Sequence, residues 1–342
     1  MTGSIRFGII GCGGIARWHV NAIQTLDTAE LTAVTDSSAD RSEEWGRLYN
    51  VPWFTDAGKM LTANIVDAVC ICTPSGLHAE LAQQALTANR HVVVEKPAAI
   101  TRESLKGLLR AEEKSEAKLC VVSQLRFSPD VLEAKRIIGD GLLGNIILAD
   151  LSMKYYREPS YYTNSGWRGT FSMDGGGALM NQGIHGVDLL RFLCGDIREV
   201  YALSGTFLHD IETEDTLSAT FYLEGGGLGT LTAATTAYPG HKRRLEICGT
   251  EGSLTLVEDK LIQAETKSGI SIEKASTGKH GASDPFDIDY EPHQRQIRGF
   301  VEAVLSGKPF EPSIKEAAKT LEVIFSVYDS CKTGKPVKVE QL

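Results

Sequence analysis

The sequence has no apolar run of the roughly 18–20 residues that a helix needs to cross a bilayer. Its first residues, Met1 to Ile5, lead directly into a strand-like run, without the basic, apolar and small-residue succession of a secretory signal. These two absences argue against a membrane partner and against export. We therefore expect a cytoplasmic protein.

Basic residues are too few for a nucleic-acid partner. The formal net charge is −9, and no basic stripe is present that would neutralise phosphates. The seven cysteines are scattered, without the pair-of-pairs spacing that binds zinc. We expect reduced thiols, no metal and a small-molecule partner.

What the sequence does contain is the length and composition of a two-domain globular protein. Hydrophobic residues make up 42% and charged residues 23% of the sequence, which is the balance of a globular protein. A chain of 342 residues is longer than a single hydrophobic core usually organises. In the first third, amphipathic segments alternate with strand-like apolar runs at 6–10, 31–35, 66–73, 91–95 and 118–124. This alternation predicts an α/β Rossmann domain, a doubly wound parallel sheet over residues 1–124.

The pattern changes after residue 124. A glycine-rich turn at 175–177 opens a predicted helix from 178 to about 193. Long alternating runs separated by glycine turns then predict a large, mainly antiparallel sheet. With two closing helices, near 292–306 and 315–332, residues 125–342 form a predicted α+β second domain. We expect a long loop over the polar residues 268–289.

The first strand-like run ends in a glycine turn that suits a dinucleotide. Gly11, Gly13 and Ala16 fit the pattern G-x-G-x-x-A between a predicted strand and a predicted helix. The first glycine permits the sharp turn, the second lets the backbone approach a pyrophosphate, and a small third residue lets helix and strand pack closely. N–H groups at the helix start then hold the phosphates. The predicted cofactor contacts are Gly11, Cys12, Gly13, Gly14 and Ile15.

The second predicted strand leads to Asp36, where a carboxylate hydrogen-bonds the adenosine ribose. Because the same charge would repel a 2′-phosphate, NAD is the expected cofactor, and Ser37 joins the predicted contacts. Two alternatives stay open. Asp36 can instead form a turn ahead of Ser37 and Ser38, and the nearby Arg41 leaves NADP as a second candidate.

Three further motifs resemble those of the glucose–fructose oxidoreductase/inositol dehydrogenase (Gfo/Idh/MocA) family. They are Thr73-Pro74-Ser75-Gly76-Leu77-His78, then Glu95-Lys96-Pro97, then the segment from Gly175 to Asp188, which reads G-G-G-A-L-M-N-Q-G-I-H-G-V-D. With the glycine turn, they follow the family's order along nearly the whole chain. The resemblance implies an NAD(P)-dependent oxidoreductase and adds cofactor contacts from Thr73, Pro74, His78, Glu95, Lys96 and Gln124.

Lys96 is the first predicted catalytic residue. Most lysines are solvated surface charges, but Lys96 follows a buried strand and precedes a proline, at the end of the sheet where α/β proteins bind ligands. There its ammonium group can hydrogen-bond the reacting hydroxyl and stabilise the developing alkoxide.

His185 is the predicted acid–base group, because an ordinary pKa of about 6.5 suits proton exchange with an alcohol near neutral pH. On a regular helix, Asn181, His185 and Asp188 would share one face. Asn181 would then join the catalytic set, while Asp188 would orient the ring or complete a local network. Packing in the core is the alternative for a helical histidine.

Asn181 departs from the inositol dehydrogenases of the family, which have aspartate there. An amide cannot take a proton, although it can hydrogen-bond a hydroxyl. Asparagine here resembles the branch that includes UDP-N-acetyl-hexosaminuronate 3-dehydrogenases more than the inositol branch. The predicted substrate contacts are Arg126, Trp167, Arg168, Asn181 and His185, with structural packing as the alternative for the Trp-Arg pair.

These features favour a dehydrogenase that moves hydride between the nicotinamide and a secondary alcohol of a sugar, nucleotide sugar or cyclitol. The alternative from another class is a catalytically silent, dinucleotide-sensing regulator on the same fold, which would need neither Lys96 nor His185. NAD-assisted glycoside cleavage is a third hypothesis, although its long motifs are missing. By analogy with the family, we expect a homodimer or homotetramer.

Overall fold

A computed structural model describes residues 3–275 and 290–340 of the chain. The chain divides into two compact units. The first comprises Met1–Gln124 and Tyr290–Ala318, and the second comprises Leu125–Asp289 and Lys319–Leu342. The division after Gln124 lies where the sequence predicts a boundary, but residues 290–318, predicted in the second domain, belong to the first unit.

Six parallel strands form the sheet of the first unit: β1 (Ile5–Ile10), β2 (Ala29–Thr35), β3 (Trp53–Phe54), β4 (Ala68–Ile71), β5 (His91–Val94) and β6 (Leu119–Val121). Their order is β3-β2-β1-β4-β5-β6, that of a doubly wound Rossmann sheet. The central strands are buried on both faces, which explains their nearly continuous apolar runs. The two-residue edge strand β3 was not predicted, since so short a segment carries no periodic signal.

The second unit contains a nine-stranded sheet: β7 (Ile146–Lys154), β8 (Ile197–Gly205), β9 (Thr216–Leu223), β10 (Leu228–Ala234), β11 (Arg244–Gly249), β12 (Gly252–Val257), β13 (Lys260–Thr266), β14 (Ser271–Glu273) and β15 (Val337–Lys338). All neighbours pair antiparallel except β7 and β10. The predicted, mainly antiparallel sheet is thus confirmed. β14 lies within the predicted loop, and residues 276–289 of that loop lie outside the described residues.

The α-helices are α1 (Ala16–Gln24), α2 (Ala39–Tyr49), α3 (Ala57–Thr62), α4 (His78–Thr87), α5 (Arg102–Glu113), α6 (Pro129–Gly139), α7 (Ser160–Thr163), α8 (Ile184–Cys194), α9 (Glu291–Ser306) and α10 (Ile314–Thr333). Short 3-10 helices span Ser75–Leu77 and Gln124–Phe127, and a π-helix spans Ala178–Gly183. None of the helices in the described ranges is long and apolar enough to cross a membrane.

Helix α9 belongs to the first unit because its apolar face packs there. Ile297, Phe300 and Val301 are buried in one core with Phe7 and Val20. Helical periodicity in the sequence identifies that apolar face but not the element that covers it. The prediction therefore placed α9 with its sequence neighbours in the second domain.

Candidate active site

The turn between β1 and α1 requires glycine at its first position. Gly11 has a φ of +95°, and a Cβ there would lie 2.9 Å from the backbone of Cys72 and Thr73. Only glycine therefore lets β1 turn so close to the end of β4. Gly13 stands in open space, because a Cβ added there would meet nothing within 4 Å. Such a turn ahead of a helix leaves room for a phosphate at backbone N–H groups.

The carboxylate of Asp36 lies against this turn. Its Oδ2 accepts a hydrogen bond of 2.9 Å from the N–H of Cys12, and its Oδ1 accepts one of 2.9 Å from the N–H of Ser38. Asp36 thus forms the alternative turn and also lies beside the glycine turn. Arg41 Nε is 3.4 Å from Oδ1, which keeps a cation beside the predicted ribose position. The Cys12 side chain is buried, and burial raises the pKa of its thiol to about 12.

Two buried polar atoms near the ends of β4 and β6 lack a hydrogen-bond partner among the described residues. They are Thr73 Oγ1 and Gln124 Oε1. Because buried polar atoms in proteins are nearly always hydrogen-bonded, these atoms indicate a missing partner. Together with the open space at Gly13, they fit a dinucleotide, whose polar groups Thr73 and Gln124 would hold.

The ring of His78 lies between two protein carbonyls. Nδ1 is 2.7 Å from the oxygen of Pro97, and Nε2 is 2.8 Å from the oxygen of Thr73. Burial lowers the pKa of His78, so the ring is neutral near pH 7 and donates to one of the two carbonyls. This arrangement links the segments that follow β4 and β5.

Glu95 lies at the centre of a buried group that the sequence did not reveal. Its Oε1 is 2.8 Å from His19 Nε2 and 4.0 Å from His293 Nε2, while its Oε2 accepts a 3.2 Å hydrogen bond from the N–H of Lys96. His19 comes from α1 and His293 from α9, so only the tertiary fold brings them together. Glu95 is predicted as a cofactor contact, yet its carboxylate is held by protein groups.

The charges of this buried group balance one another. Burial alone would raise the pKa of Glu95, but the hydrogen bond and charge of His19 lower it below its ordinary value. The pKa of His19 is raised, although burial opposes its protonation. Because burial keeps Cys72 beside it a neutral thiol, with a pKa of about 11, the negative charge comes from Glu95. Burial lowers the pKa of His293 to about 4, so His293 stays neutral. Glu95 and His19 therefore form a buried ion pair.

Lys96 follows this ion pair directly. It is half-buried, and its backbone N–H is fixed by Glu95. The peptide bond between Lys96 and Pro97 is cis. The backbone at the predicted catalytic lysine is thus held from one side by Glu95 and from the other through Pro97 by His78.

In the second unit, the segment with the predicted catalytic pair is not one regular helix. Residues Ala178–Gly183 form a π-helix, and α8 begins only at Ile184. The prediction of one α-helix from 178 is wrong at this point, since a π-turn leaves no mark on hydrophobic periodicity. π-Turns inside helices are frequent at functional sites. His185 is half-buried near the start of α8.

Asn181 lies in a polar cluster around Asp174. Its Nδ2 donates a 2.6 Å hydrogen bond to Asp174 Oδ1, and its Oδ1 accepts one of 3.2 Å from Gln182. Gln182 also donates to the hydroxyl of Tyr161 and accepts from the buried Arg157. Asn181 is the one member of this cluster that the sequence analysis singled out as functional; the others are Asp174, Gln182, Tyr161 and Arg157.

Arg168 and Trp167 pack beside the same cluster. The Arg168 guanidinium lies 4.1 Å from the ring centre of Tyr161 and 5.3 Å from that of Trp167. It also donates to the carbonyl of Tyr161 over 3.3 Å, and its buried Nε lacks a hydrogen-bond partner among the described residues. The Trp-Arg pair thus packs against Tyr161, and the Arg168 guanidinium keeps one N–H without a partner among the described residues.

Asp188 has partners of its own. Arg126 donates to both of its oxygens, over 2.6 and 2.8 Å, and Thr320 donates over 3.2 Å. Asp188 therefore belongs to a local hydrogen-bond network, which is one of the two roles predicted for it. Asn181 belongs to a different network, the one around Asp174. Arg126, a predicted substrate contact, is buried with its guanidinium bound to Asp188.

Residues 3–275 and 290–340 contain no group of three or more histidine, cysteine or acidic side chains that would hold a metal ion.

Two family models match the chain. Residues 5–123 match an oxidoreductase family with the NAD-binding Rossmann fold, and residues 131–255 match the GFO/IDH/MocA C-terminal domain. Together they cover more than half of the sequence.

Relatives align over nearly the full length. The inositol 2-dehydrogenase of Rhizobium meliloti is 27% identical over 91% of this chain and 92% of its own. The D-apiose dehydrogenase of Paraburkholderia graminis is 24% identical over 98% and 89%. Among solved structures, the WlbA dehydrogenase from Bordetella pertussis, in complex with NADH and UDP-GlcNAcA, is 29% identical, with a TM-score of 0.88 over 98% of this chain and 99% of that one.

The open space at Gly13 generates a prediction. In Gly13→Ala, the new methyl group meets no protein atom within 4 Å, so the urea midpoint should not change. The methyl group would occupy the space that a pyrophosphate needs, and NADH binding should weaken at least about tenfold, or ~1.4 kcal/mol. Fluorescence titration with NADH measures this. Gly139→Ala, equally free of contacts, is the control and should bind NADH like the parent protein. Equal affinities for all three proteins would remove Gly13 from the cofactor site.

Proposed function

The chain belongs to the glucose–fructose oxidoreductase/inositol dehydrogenase (Gfo/Idh/MocA) family of NAD-dependent oxidoreductases, and we propose that it oxidises a secondary alcohol of a nucleotide sugar, sugar or cyclitol. The observation that carries the proposal is the position of Lys96. It follows β5 of the NAD-binding sheet, where its backbone is fixed by the buried Glu95. Carboxyl ends of parallel strands are where such sheets bind ligands.

The chemistry assigns a role to each predicted catalytic residue. NAD, when bound, accepts hydride from the carbon that bears the hydroxyl. Lys96 would hydrogen-bond the hydroxyl oxygen and stabilise its developing negative charge. His185 would take the hydroxyl proton and return it in the reverse direction. Asn181, held by Asp174 and Gln182, would hydrogen-bond a substrate hydroxyl without exchanging protons.

Nucleotide sugars are the substrate class that we favour. Asn181 is an amide where the inositol branch has a carboxylate, and the WlbA dehydrogenase that binds UDP-GlcNAcA is similar over the whole chain. Arg168 adds a guanidinium that is half-buried beside Asn181's cluster and could pair with a phosphate or carboxylate. Cyclitols and free sugars are the competing substrates.

A silent regulator fits less well. Such a protein needs to bind the dinucleotide but has no use for a fixed lysine. Here Lys96 and His185 both stand in the motifs that carry the resemblance, and the named relatives of full length are dehydrogenases. Turnover of any alcohol with NAD would exclude the regulator.

The test is a screen that follows NADH absorbance with UDP-GlcNAcA, myo-inositol, D-apiose and levoglucosan. We expect reduction of NAD with at least one of them. Lys96→Ala should lower kcat by about 10²–10³-fold, because it removes one group that stabilises the developing charge, while the affinity for NADH stays within twofold.

Lys106→Ala is the matched control, since Lys106 is exposed on α5 of the same unit. Its activity should equal that of the parent enzyme. An active Lys96→Ala enzyme would eliminate Lys96 from the reaction, and absence of turnover with every alcohol would count against the proposed function.

Asp36 generates a prediction on cofactor choice. Asp36→Asn keeps an oxygen for the N–H of Cys12 or Ser38 but removes the charge that opposes a 2′-phosphate. We expect the preference for NAD over NADP, expressed as the ratio of kcat/KM values, to fall by about tenfold or more, with Arg41 free to pair with the phosphate. Glu44→Gln, an exposed residue of α2, is the control. An unchanged ratio would leave Asp36 with only its turn role.

We also propose a cytoplasmic homodimer or homotetramer. Leu148, Leu228 and Tyr222 are direct neighbours across β7, β10 and β9, and all are at least 44% exposed. An apolar row on an open sheet face is typical of a contact between copies. Light scattering of the purified full chain should give two or four times the chain's mass of 37.1 kDa, and a mass of one chain would refute the assembly.

A further inference from the structure

Two residues, Glu214 and Tyr328, accept hydrogen bonds from the backbone N–H groups at the start of the π-helix. Glu214 Oε2 accepts from the N–H of Gly177 over 3.0 Å, and Oε1 accepts from that of Leu179 over 2.9 Å. The Glu214 carbonyl accepts from Ala178 over 2.9 Å, and the hydroxyl of Tyr328 accepts from Met180 over 3.1 Å. Four consecutive N–H groups, which a helix start would leave open, are thus occupied.

The two anchoring side chains also bind each other and come from distant parts of the unit. The Tyr328 hydroxyl donates to Glu214 Oε1 over 3.0 Å. Glu214 precedes β9, and Tyr328 lies on α10. The π-helix has no side-chain cap of its own, because Gly177 stands at its N-cap. Its position is therefore set by these two residues rather than by local sequence.

Two glycines make the fit close. A Cβ on Gly177 would overlap the Glu214 carbonyl oxygen, and a Cβ on Gly176 would overlap the Tyr328 hydroxyl. The glycines of the G-G-G motif thus allow direct backbone approach to Glu214 and Tyr328. A fit this close leaves the π-helix little freedom to slide, and Asn181 and His185 follow within eight residues of Gly177.

Glu214 is a buried carboxyl group in an unusual electrostatic position. Burial raises its pKa to about 7, against the lowering effect of its backbone and tyrosine hydrogen bonds. Burial, together with the charge of Glu214, also raises the pKa of Tyr328 well above its ordinary value, so the tyrosine stays a donor. A buried carboxyl group lowers stability unless its hydrogen bonds are made. The hydrogen bonds of Glu214 are made to the start of the π-helix.

We propose that Glu214 and Tyr328 are positioning residues for the dehydrogenation, fixing the π-helix so that Asn181 and His185 meet the substrate hydroxyl. The inference rests on the proposed function of Asn181 and His185. Neither Glu214 nor Tyr328 needs to touch the substrate. Displacement of a catalytic group by about 1 Å can lower a rate about 10²-fold. Residues that fix the π-helix can therefore affect kcat without touching the substrate.

The test compares Tyr328→Phe and Glu214→Gln with the parent enzyme. Tyr328→Phe removes one hydroxyl, and Glu214→Gln replaces one acceptor oxygen by an NH₂ group that faces a donor. The substrate is UDP-GlcNAcA or the best alcohol of the screen, and kcat is expressed per NADH-binding site. We expect this kcat to fall by about 10–100-fold in each variant. The Kd for NADH should stay within twofold, because the cofactor residues lie in the first unit.

A purely structural role would give a different result. It would lower the number of NADH-binding sites per mole of protein, or the urea midpoint, and leave kcat per site unchanged. The double variant adds a check: since both residues act through one network, its loss should be smaller than the product of the two single losses. An unchanged kcat per site in well-folded Tyr328→Phe would overturn the proposal, even if Glu214→Gln did not fold.

A second measurement needs no substrate. Hydrogen exchange should quicken by about tenfold or more at the amides of Leu179 and Met180 in both variants, while the amides of β9 keep their rates. Unchanged exchange would refute the anchor. If the parent enzyme turned over no alcohol, the proposed function would fail, and the exchange rates would still decide whether Glu214 and Tyr328 hold the π-helix.

Glu224→Gln and Tyr238→Phe are the matched controls. Glu224 is exposed after β9, and Tyr238 is 76% exposed. Both should keep the parent values of kcat, Kd and exchange. A loss of kcat in these controls equal to that in the test variants would also refute the proposal, since any glutamate or tyrosine change would then have the same effect.

Discussion

Parallel pairing of all six strands is the constraint on which the first unit depends. Parallel strands end at the same edge of a sheet, so the residues that follow β1, β2, β4, β5 and β6 must gather there. The glycine turn, Asp36, Thr73, Lys96 and Gln124 occupy these five positions. Burial on both faces keeps the strands apolar, and the polar chemistry is confined to their ends. One hydrogen-bonding pattern therefore decides where the predicted cofactor residues lie.

Local patterns in the sequence were sufficient for much of this. The Rossmann sheet and the large antiparallel sheet were predictable because strand periodicity and turn residues are local signals. Contacts between distant segments were not predictable. His19 on α1 and His293 on α9 meet at Glu95 only after folding, and neither lies in a motif. Residues 290–318 were predicted in the second domain but belong to the first unit. The sequence shows that α9 has an apolar face, but it does not show which element packs against that face.

The two units support their predicted catalytic residues in a similar way. The buried Glu95 accepts a hydrogen bond from the backbone N–H of Lys96, and the buried Glu214 accepts from two backbone N–H groups ahead of Asn181 and His185. Glu95 does so beside Lys96 with a histidine as its counter-charge, whereas Glu214 relies on hydrogen bonds from amides and Tyr328. The first glutamate is ionised, and the second has a pKa of about 7 because burial is not offset by a cation. Buried carboxylates are thus anchors of backbone in both units.

The glycine turn contains a cysteine, which is unexpected beside a phosphate site. A thiolate would repel a pyrophosphate and would react with oxidants. Cys12 does neither, because burial under the turn holds its pKa near 12 and keeps the sulfur away from solvent. The side chain is part of the apolar core of the first unit, with its sulfur 3.7 Å from the carbonyl oxygen of Thr35. Oxidation or alkylation of this enzyme is therefore expected to begin at a sulfur other than that of Cys12.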